Sequence, residues 1–202
     1  MNTDFFSPPR YFAIVLAAGK SRRMGVCKAS LPWLDGKTLL SYQVEQFLLA
    51  AIAPVVVLGP HNSDRQKDCP PSTKVIINPD PSQGKTSSIL TGLQLIPKNV
   101  QILVISAVDQ PRPTAIYQKL LQFQISNAAI ITAPTYKGKL GHPLFFANQA
   151  LPYLQNIREE SFGLRQIVQD FYPEIQKVEF DTPVVIADIN TPAEYQRQLD
   201  LY

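Results

Sequence analysis

Short apolar runs alternate with segments of helical period along the first two thirds of the chain. The apolar runs, which predict buried strands, are residues 12–16, 54–58, 74–77, 101–106 and 128–132. The segments with apolar residues three and four apart, which predict helices, are 39–51, 88–96 and 114–123. This alternation predicts a three-layer, Rossmann-like α/β fold, with a mostly parallel sheet and helices on both faces.

The last third is less regular. Residues 140–146, 177–180 and 184–186 predict short strands, the last two paired around the turn at 181–183, and residues 164–168 and 193–199 predict helices. The polar segment 61–72 predicts a short helix or an open loop. The 202 residues contain no internal repeat or linker, so we expect a single domain, 1–202, in which residues 1–10 are a flexible leader.

Composition excludes several classes of protein. With 45% apolar and 17% charged residues, the chain is globular rather than disordered. A net charge of only +3 argues against a large nucleic-acid-binding face. The sequence contains neither a signal peptide nor an apolar run of membrane-spanning length, and its two cysteines form no disulfide framework. We therefore expect a cytoplasmic protein without a membrane or nucleic-acid partner.

A basic loop follows the first apolar run, with the sequence Leu16-Ala17-Ala18-Gly19-Lys20-Ser21-Arg22-Arg23-Met24-Gly25-Val26-Cys27-Lys28. Small residues let the backbone approach a ligand closely, and successive backbone N–H groups form a concave anion site. Arg22, Arg23 and Lys28 would add charge-assisted donors. Our interpretation is a loop that wraps a nucleotide triphosphate; a basic surface loop after an edge strand is the alternative.

Two aspartates follow apolar runs. Asp109 follows the run at 101–106 after Ala107-Val108, and Asp188 follows residues 184–187. In parallel sheets, ligands bind beyond the carboxyl ends of strands. Carboxylates there suit Mg²⁺, which uses one or two of them together with substrate phosphates. The alternatives are a helix N-cap for Asp109 and a solvated turn for Asp188.

Two further polar segments come before predicted elements. Residues 84–86 read Gly-Lys-Thr, but Pro79 stands where a Walker-type loop needs its first glycine. What remains is a polar loop leading to a helix N-terminus, which can face a base, a sugar or a phosphate, or be capped by Thr86 or Ser87. His142, between Gly141 and Pro143, can contact substrate, although its position alone favours a turn.

These segments together resemble a known family. The pattern Leu16-Ala-Ala-Gly-x-Ser-x-Arg-Met-Gly-x-x-Lys28, followed by Leu31-Pro32 and Gly36, is similar to the nucleotidyltransferase signature. Five further segments narrow the resemblance to molybdenum cofactor cytidylyltransferases over residues 13–195. They are Asn78-Pro79, Gly84 with Thr86-Ser87-Ser88, Asp109-Gln110-Pro111, Gly141-His142-Pro143 and Asp188-Ile-Asn-Thr-Pro192.

The resemblance implies a GT-A-like fold, an NTP substrate and Mg²⁺. Its nucleotide-binding positions correspond here to Leu16, Ala17, Ala18, Gly19, Ser21, Arg22, Arg23, Lys28, Asn78, Gly84, Ser87 and Asp109. The resemblance gives Arg23, Lys28 and Asp109 catalytic roles, and it gives Asp109 and Asp188 the metal. The acceptor-binding positions correspond to Gly141, His142 and Pro143.

The resemblance also indicates the substrates. Guanylyl-transferring relatives usually have Gly-Pro-Leu-Ala-Gly where this chain has Gly84-Lys-Thr-Ser-Ser, and Asp where it has Cys27, which favours CTP. The implied reaction transfers CMP from CTP to the phosphate of a molybdopterin-type cofactor and releases pyrophosphate, with a molybdoenzyme or its chaperone as a partner. Relatives carry Gly-Asp-x-Gly where this chain reads Glu160-Ser161-Phe162-Gly163, a segment on the acceptor side.

Other functions stay open at this point. The protein can instead use GTP or another phosphorylated acceptor, such as a sugar phosphate or phospholactate. It can also be a non-catalytic nucleotide-binding chaperone for a cofactor. A glycosyltransferase on the same fold commonly carries an Asp-x-Asp metal motif, which this sequence lacks.

Overall fold

The computed structural model describes residues 10–202 and contains one mixed sheet. Its strands are β1 (Tyr11–Leu16), β2 (Ala53–Leu58), β3 (Lys74–Ile77), β4 (Ile102–Ala107), β5 (Ile131–Tyr136), β6 (Lys139–Leu140), β7 (Leu144–Ala147) and β8 (Gln176–Glu179). The α-helices of the described residues are α1 (Leu39–Leu49), α2 (Lys85–Leu93), α3 (Thr114–Asn127), α4 (Leu151–Gln155), α5 (Leu164–Asp170) and α6 (Pro192–Leu199). Residues 1–9 of the predicted leader lie outside the described residues. Arg10, its last residue, is tied to the sheet because its carbonyl accepts from the Gln101 N–H at 2.8 Å.

The strand order is β3-β2-β1-β4-β7-β5-β6, and β8 pairs with β5. Strands β1 to β4 are parallel to one another, and Ile14 of β1 lies in register with Val55 and Ile105. Strand β7 is antiparallel to both β4 and β5. The predicted fold class, a mostly parallel sheet with helices on both faces, is therefore confirmed. The carboxyl ends of β1 and β4 lie side by side, so the loops that follow them meet at one edge.

The two faces of the sheet carry separate apolar cores. Val15 of β1 packs into one core with Phe47 of α1 and Tyr117 of α3, whose rings stack at a centroid distance of 4.1 Å. Ile14 packs into the other core with Ile89 of α2. The alternation follows from the two-residue period of a strand. Within residues 10–202, none of the helices is both long and apolar enough to cross a membrane.

Two predicted strands and one predicted strand pairing differ from the structure. The run at 184–186 is not a strand, because Pro183 begins a 3₁₀ helix (Pro183–Ile186) and the Thr182 hydroxyl accepts from the Val184 N–H. Strand β8 consequently pairs with β5 rather than with that segment. The predicted strand at 128–132 begins later, at Ile131, because the left-handed residue Ala128 follows α3.

The predicted strand at 140–146 is divided by Gly141-His142-Pro143. The Gly141 N–H donates to the Pro134 carbonyl and the His142 N–H donates to the Val185 carbonyl, both at 2.8 Å. A Cβ at Gly141 would collide with the Val185 backbone, so only glycine allows this close approach. This interruption turns His142 toward the segment that carries Asp188.

The predicted helices and loops differ less from the structure than the predicted strands do. The helix predicted at 88–96 spans Lys85–Leu93, and Thr86 and Ser88 are buried within it. The polar segment predicted as a short helix or loop at 61–72 contains a 3₁₀ helix over Pro60–Asp68. Thr191 caps α6, because its hydroxyl accepts from the Glu194 N–H at 3.2 Å.

Candidate functional site

The loop after β1 folds back on itself around Ser21. The Ser21 residue has a φ of +50°, and its hydroxyl accepts from the Lys28 N–H at 3.2 Å. Its carbonyl accepts from the Met24 N–H at 2.9 Å. A Cβ added at Gly19 would meet nothing within 4 Å, so the backbone there faces open space. The loop is thus a preformed, concave turn with room for a ligand against its backbone.

Lys28 lies at the centre of the cationic part of the loop. Its Nζ donates to Asp109 Oδ2 at 2.7 Å and to Asn190 Oδ1 at 2.9 Å, and the Lys28 side chain is only 11% exposed. Arg23 reaches the same Asn190 oxygen at 3.0 Å, and both Arg22 and Arg23 are exposed to solvent. An ammonium group has three donors, so Lys28 keeps one for an anion.

Asp109 and Asp188 come together although 78 residues separate them. The Ile189 N–H donates to the Asp109 carbonyl at 2.9 Å, which ties the two segments by their backbones. Gln110 bridges them, because its Nε2 donates to Asp188 Oδ1 at 2.9 Å and its Oε1 accepts from the Ala107 N–H. Helix α3 begins at Thr114, so Asp109 is not its N-cap.

Arg112 is a fully buried arginine behind this edge. It donates to four carbonyls: Nη1 to Pro111 at 2.7 Å, Nη2 to Ala187 at 2.8 Å and to Val185 at 3.2 Å, and Nε to His142 at 3.2 Å. Burial lowers the pKa of Arg112, and the nearby carboxylates of Asp188 and Asp109 act in the opposite direction. Arg112 therefore fixes the backbone just before Asp188 and that of His142.

The N-terminus of α2 forms the other side of the site. Asn78 donates to the hydroxyls of Ser87 and Ser88, each at 2.9 Å, so its amide organises the helix start. Capping of α2 by Thr86 or Ser87 was the wrong alternative. The Ser87 hydroxyl donates to the Gly84 carbonyl, and the acceptor for the Thr86 N–H at 3.0 Å is the Glu159 carboxylate.

Two adjoining pockets open at this edge of the sheet. The nucleotide-side pocket is lined by Leu16, Ala18, Gly19, Ser21, Lys28, Pro81, Gly84, Lys85, Ser88, Ala107, Val108 and Asp109. The acceptor-side pocket, of about 650 Å³, is lined by Lys85, Thr86, Ile89, Gln110, Leu140, Gly141, His142, Leu144, Glu159, Phe162, Leu164, Arg165, Val168, Gln169 and Asp188. Its volume is within the range of small-molecule sites, about 300–1,000 Å³.

The predicted site residues divide between these pockets and their supports. Leu16, Ala18, Gly19, Ser21, Lys28, Gly84 and Asp109 line the nucleotide-side pocket, while Gly141, His142 and Asp188 line the acceptor-side pocket. The predicted residues outside both linings are Ala17, Arg22, Arg23, Asn78, Ser87 and Pro143. Ala17 is buried and its N–H donates to Val57. The binding and catalytic roles of all these residues stay predictions.

His142 borders the acceptor-side pocket as a neutral imidazole. Burial lowers the pKa of His142 to about 4, and the positive charges of Lys85 and Arg112 lower it further, against the opposite effect of Asp188. At neutral pH the ring is therefore a hydrogen-bond donor and acceptor without charge. An uncharged ring can contact a ligand without repelling the nearby cations Lys85 and Arg112.

The carboxylate oxygens at this edge suit a hard divalent cation whose coordination shell is completed by a substrate. No group of three or more His, Cys, Asp or Glu side chains suited to a metal occurs within residues 10–202. Asp109 and Asp188 supply two carboxylates, which is the number that Mg²⁺ commonly takes when phosphates complete its shell.

Sequence reasoning missed several residues of the site. The side chain of Asn190 accepts from both Lys28 and Arg23, a role that the sequence does not predict. Arg112 and Glu159 were given no role, because their partners are carbonyls and N–H groups far away along the chain. The sequence gives no signal for these backbone partners.

The fold and the paired aspartates beside a basic loop define a nucleotide-binding α/β protein of the kind that transfers phosphoryl-containing groups. The family model described as "MobA-like NTP transferase domain" matches residues 13–178. The chain therefore belongs to the MobA-like NTP transferase family, and it is a nucleotidyltransferase.

Two relatives that match the chain over most of its length differ from each other in name. The molybdenum cofactor cytidylyltransferase of Escherichia coli is 27% identical over 188 residues, which cover 90% of this chain and 92% of the relative. The purine catabolism protein PucB of Bacillus subtilis is 26% identical, covering 93% and 95% of the two chains.

Solved structures show the same fold. Rv0371c from Mycobacterium tuberculosis superposes with a TM-score of 0.82 at 23% identity, covering 96% of this chain and all of that one. The same mycobacterial protein has also been solved in complex with manganese, and that structure gives a TM-score of 0.78 at 21% identity, with the same coverage of both chains.

Proposed function

We propose that the protein transfers CMP from CTP to the terminal phosphate of a molybdopterin-type cofactor. An oxygen of the acceptor phosphate attacks the α-phosphorus of CTP and forms a new P–O–P bond. The bond between the α-phosphorus and the oxygen leading to the β-phosphorus breaks, and pyrophosphate leaves. The proposal depends chiefly on one observation: Lys28 donates to Asp109, and hydrogen bonds from Gln110 and Ile189 hold the Asp188 segment beside Asp109.

The residues of the chain would act mainly by positioning and charge. The loop 16–21 would hold the nucleotide phosphates against its backbone N–H groups. Lys28 and Arg23 would neutralise the charge that develops on the leaving pyrophosphate. Asn190 would hold both cations in place, because its Oδ1 accepts from each of them. Gln110 would keep the Asp188 carboxylate turned toward the junction of the pockets.

We infer that Asp109 and Asp188 hold Mg²⁺ when substrate is bound. Bound Mg²⁺ would polarise the α-phosphate and bring the attacking oxygen and the phosphorus together. The donor set supports this assignment, since both carboxylates are on segments joined by the Ile189–Asp109 hydrogen bond. The manganese complex of the mycobacterial neighbour supports a divalent cation as well.

The choice of CTP and of the acceptor is supported by the sequence. The match to a cytidylyltransferase extends over 188 residues, whereas the match to a probable guanylyltransferase of Rhodopirellula baltica covers 44% of this chain. Gly84 to Ser88 also lack the Pro-Leu-Ala sequence that the guanylyl-transferring branch carries. We further propose a single domain, a cytoplasmic location, and delivery of the product to a molybdoenzyme or its chaperone.

The test is pyrophosphate release from CTP or GTP, with molybdopterin, a sugar phosphate, phospholactate or no acceptor. We expect release with CTP and molybdopterin in the presence of Mg²⁺, and loss of that release with a chelator. Release that occurs only with GTP would replace CTP as the proposed nucleotide. Release that occurs only with another acceptor would replace molybdopterin as the proposed acceptor. Binding of CTP without release with any acceptor would identify a nucleotide-binding chaperone instead.

Lys28 gives the sharpest test of the loop. We expect Lys28→Ala to lower kcat by on the order of a hundredfold or more, as removal of a preorganised charge-stabilising donor does. Lys98→Ala is the matched control, because Lys98 is an exposed lysine outside both pocket linings. Full turnover by Lys28→Ala under saturating CTP would remove the loop from the mechanism.

A further inference from the structure

Phe162 has an unusual position at the rim of the acceptor-side pocket. Its side chain is 71% exposed, and its backbone is left-handed, with a φ of +62°. A bulky residue in that conformation is strained, and such strain concentrates at ligand-binding sites. Burial does not explain the aromatic ring, and the backbone would favour glycine.

The turn that carries Phe162 is held firmly against α2. The Phe162 N–H donates to the Glu159 carbonyl at 3.0 Å, and the Gly163 N–H donates to the Arg158 carbonyl at 2.9 Å. The Glu159 carboxylate accepts from the Thr86 N–H at the start of α2. A Cβ at Gly163 would collide with the Thr86 hydroxyl, so the turn approaches the helix as closely as glycine allows. The backbone is fixed, and the ring of Phe162 is presented at the pocket.

The pocket below this ring is lined by both apolar and polar side chains. Its apolar lining residues are Ile89, Leu140, Leu144, Leu164 and Val168. Its polar lining contains Lys85, which also lines the nucleotide-side pocket, and Asp188. A ligand that fills it needs an apolar or planar body, and a phosphate that reaches the junction where Lys85 and Asp188 lie.

We propose that Phe162 determines acceptor specificity by stacking on a planar heterocycle of the acceptor while the acceptor phosphate points toward the nucleotide. This inference rests on the proposed function, and it adds the residue that selects a ring-containing acceptor over a sugar phosphate. Stacking of a heterocyclic base on an aromatic side chain is worth about 1–3 kcal/mol. That range corresponds to a change in Kd of about 5-fold to 150-fold.

The test compares binding of two phosphates by calorimetry: 6-hydroxymethylpterin monophosphate, which carries a planar ring, and glucose 1-phosphate, which does not. For Phe162→Gly we expect the Kd of the pterin phosphate to rise at least 5-fold. We expect the Kd values of glucose 1-phosphate and of CTP to stay within twofold. Phe162→Trp should keep the affinity for the pterin phosphate. Leu49→Ala, at an exposed apolar residue of α1, is the matched control and should change none of these values.

Unfolding separates binding from a structural role. Glycine relieves the positive φ, so Phe162→Gly should unfold at the same or a higher urea concentration than wild type. A large loss of stability would instead make Phe162 a structural residue. Unchanged binding of the pterin phosphate by Phe162→Gly, an equal weakening of glucose 1-phosphate, or no binding of the pterin phosphate to wild type would overturn the inference.

Failure of the stacking role can be distinguished from failure of the proposed function. If wild type releases pyrophosphate with molybdopterin and CTP, but the Kd of the pterin phosphate does not depend on Phe162, only the stacking role is refuted. Phe162-dependent binding of the pterin phosphate without any pyrophosphate release would refute the proposed transfer and leave the stacking role standing.

Discussion

Replacing Arg112 by methionine should destabilise the protein strongly, and the structure gives the size of the effect. Arg112 donates to four carbonyls. Two of them keep a second donor, because Val185 accepts from the His142 N–H and Pro111 accepts from the Tyr202 hydroxyl at 2.7 Å. Among the described residues, the carbonyls of His142 and Ala187 have no other donor.

Each buried polar group left without a partner costs about 1–3 kcal/mol, so Arg112→Met should lose about 2–6 kcal/mol of unfolding free energy. For a chain of this size each kcal/mol lowers Tm by about 2–4 °C. Urea unfolding at neutral pH measures the loss, with the exposed Arg197→Met of α6 as the control, expected within about 0.5 kcal/mol. If Arg112→Met lost less than about 1 kcal/mol, the carbonyl cluster would not be what Arg112 stabilises.

Three further changes test other parts of the site. Asn190→Ala should raise the KM for CTP about tenfold in steady-state kinetics, because Lys28 loses an acceptor that holds it in place; an unchanged KM would contradict this. Gly84→Ala should lose about 1–3 kcal/mol in urea unfolding, because its φ is +92° and its Cβ would collide with the Glu159 carboxylate; wild-type stability would show that the helix start can relax. The pKa of His142 is about 4 in the folded protein against 6.5 in the unfolded chain, so the unfolded chain takes up the proton first as the pH falls. Stability should therefore fall by about 2 kcal/mol between pH 7 and about pH 5, and His142→Gln should have a correspondingly smaller pH dependence in urea unfolding.

The sequence predicts best what depends on neighbouring residues. The alternation of apolar runs and helical periods predicts the parallel half of the sheet, because the runs of β1, β2 and β4 are buried on both faces. The concentration of glycine and cations after β1 predicts a loop that the structure shows folded around Ser21 and Lys28. An aspartate after a buried strand also predicts a place at the sheet edge, and Asp109 lies there.

The sequence predicts poorly what depends on distant partners. Residues 184–186 have the composition of a strand, but no strand edge is paired with them and Pro183 begins a 3₁₀ helix instead. The roles of Arg112 and Glu159 depend on carbonyl and N–H groups 30 to 75 residues away. A single sequence contains no signal for such pairs, because backbone groups are the same in every residue.

The last twenty residues complete the site rather than the sheet. The last strand, β8, ends at Glu179, and the family match ends at residue 178, yet Asp188 and Asn190 both follow. Ile189, between them, is fully buried in a small core with Trp33 and residues of the segment after the basic loop. Packing of this short segment therefore positions Asp188 and Asn190 relative to Lys28 at the same time. A substitution that loosens the Ile189 core, such as Ile189→Ala, should weaken nucleotide and metal binding together while the sheet stays folded.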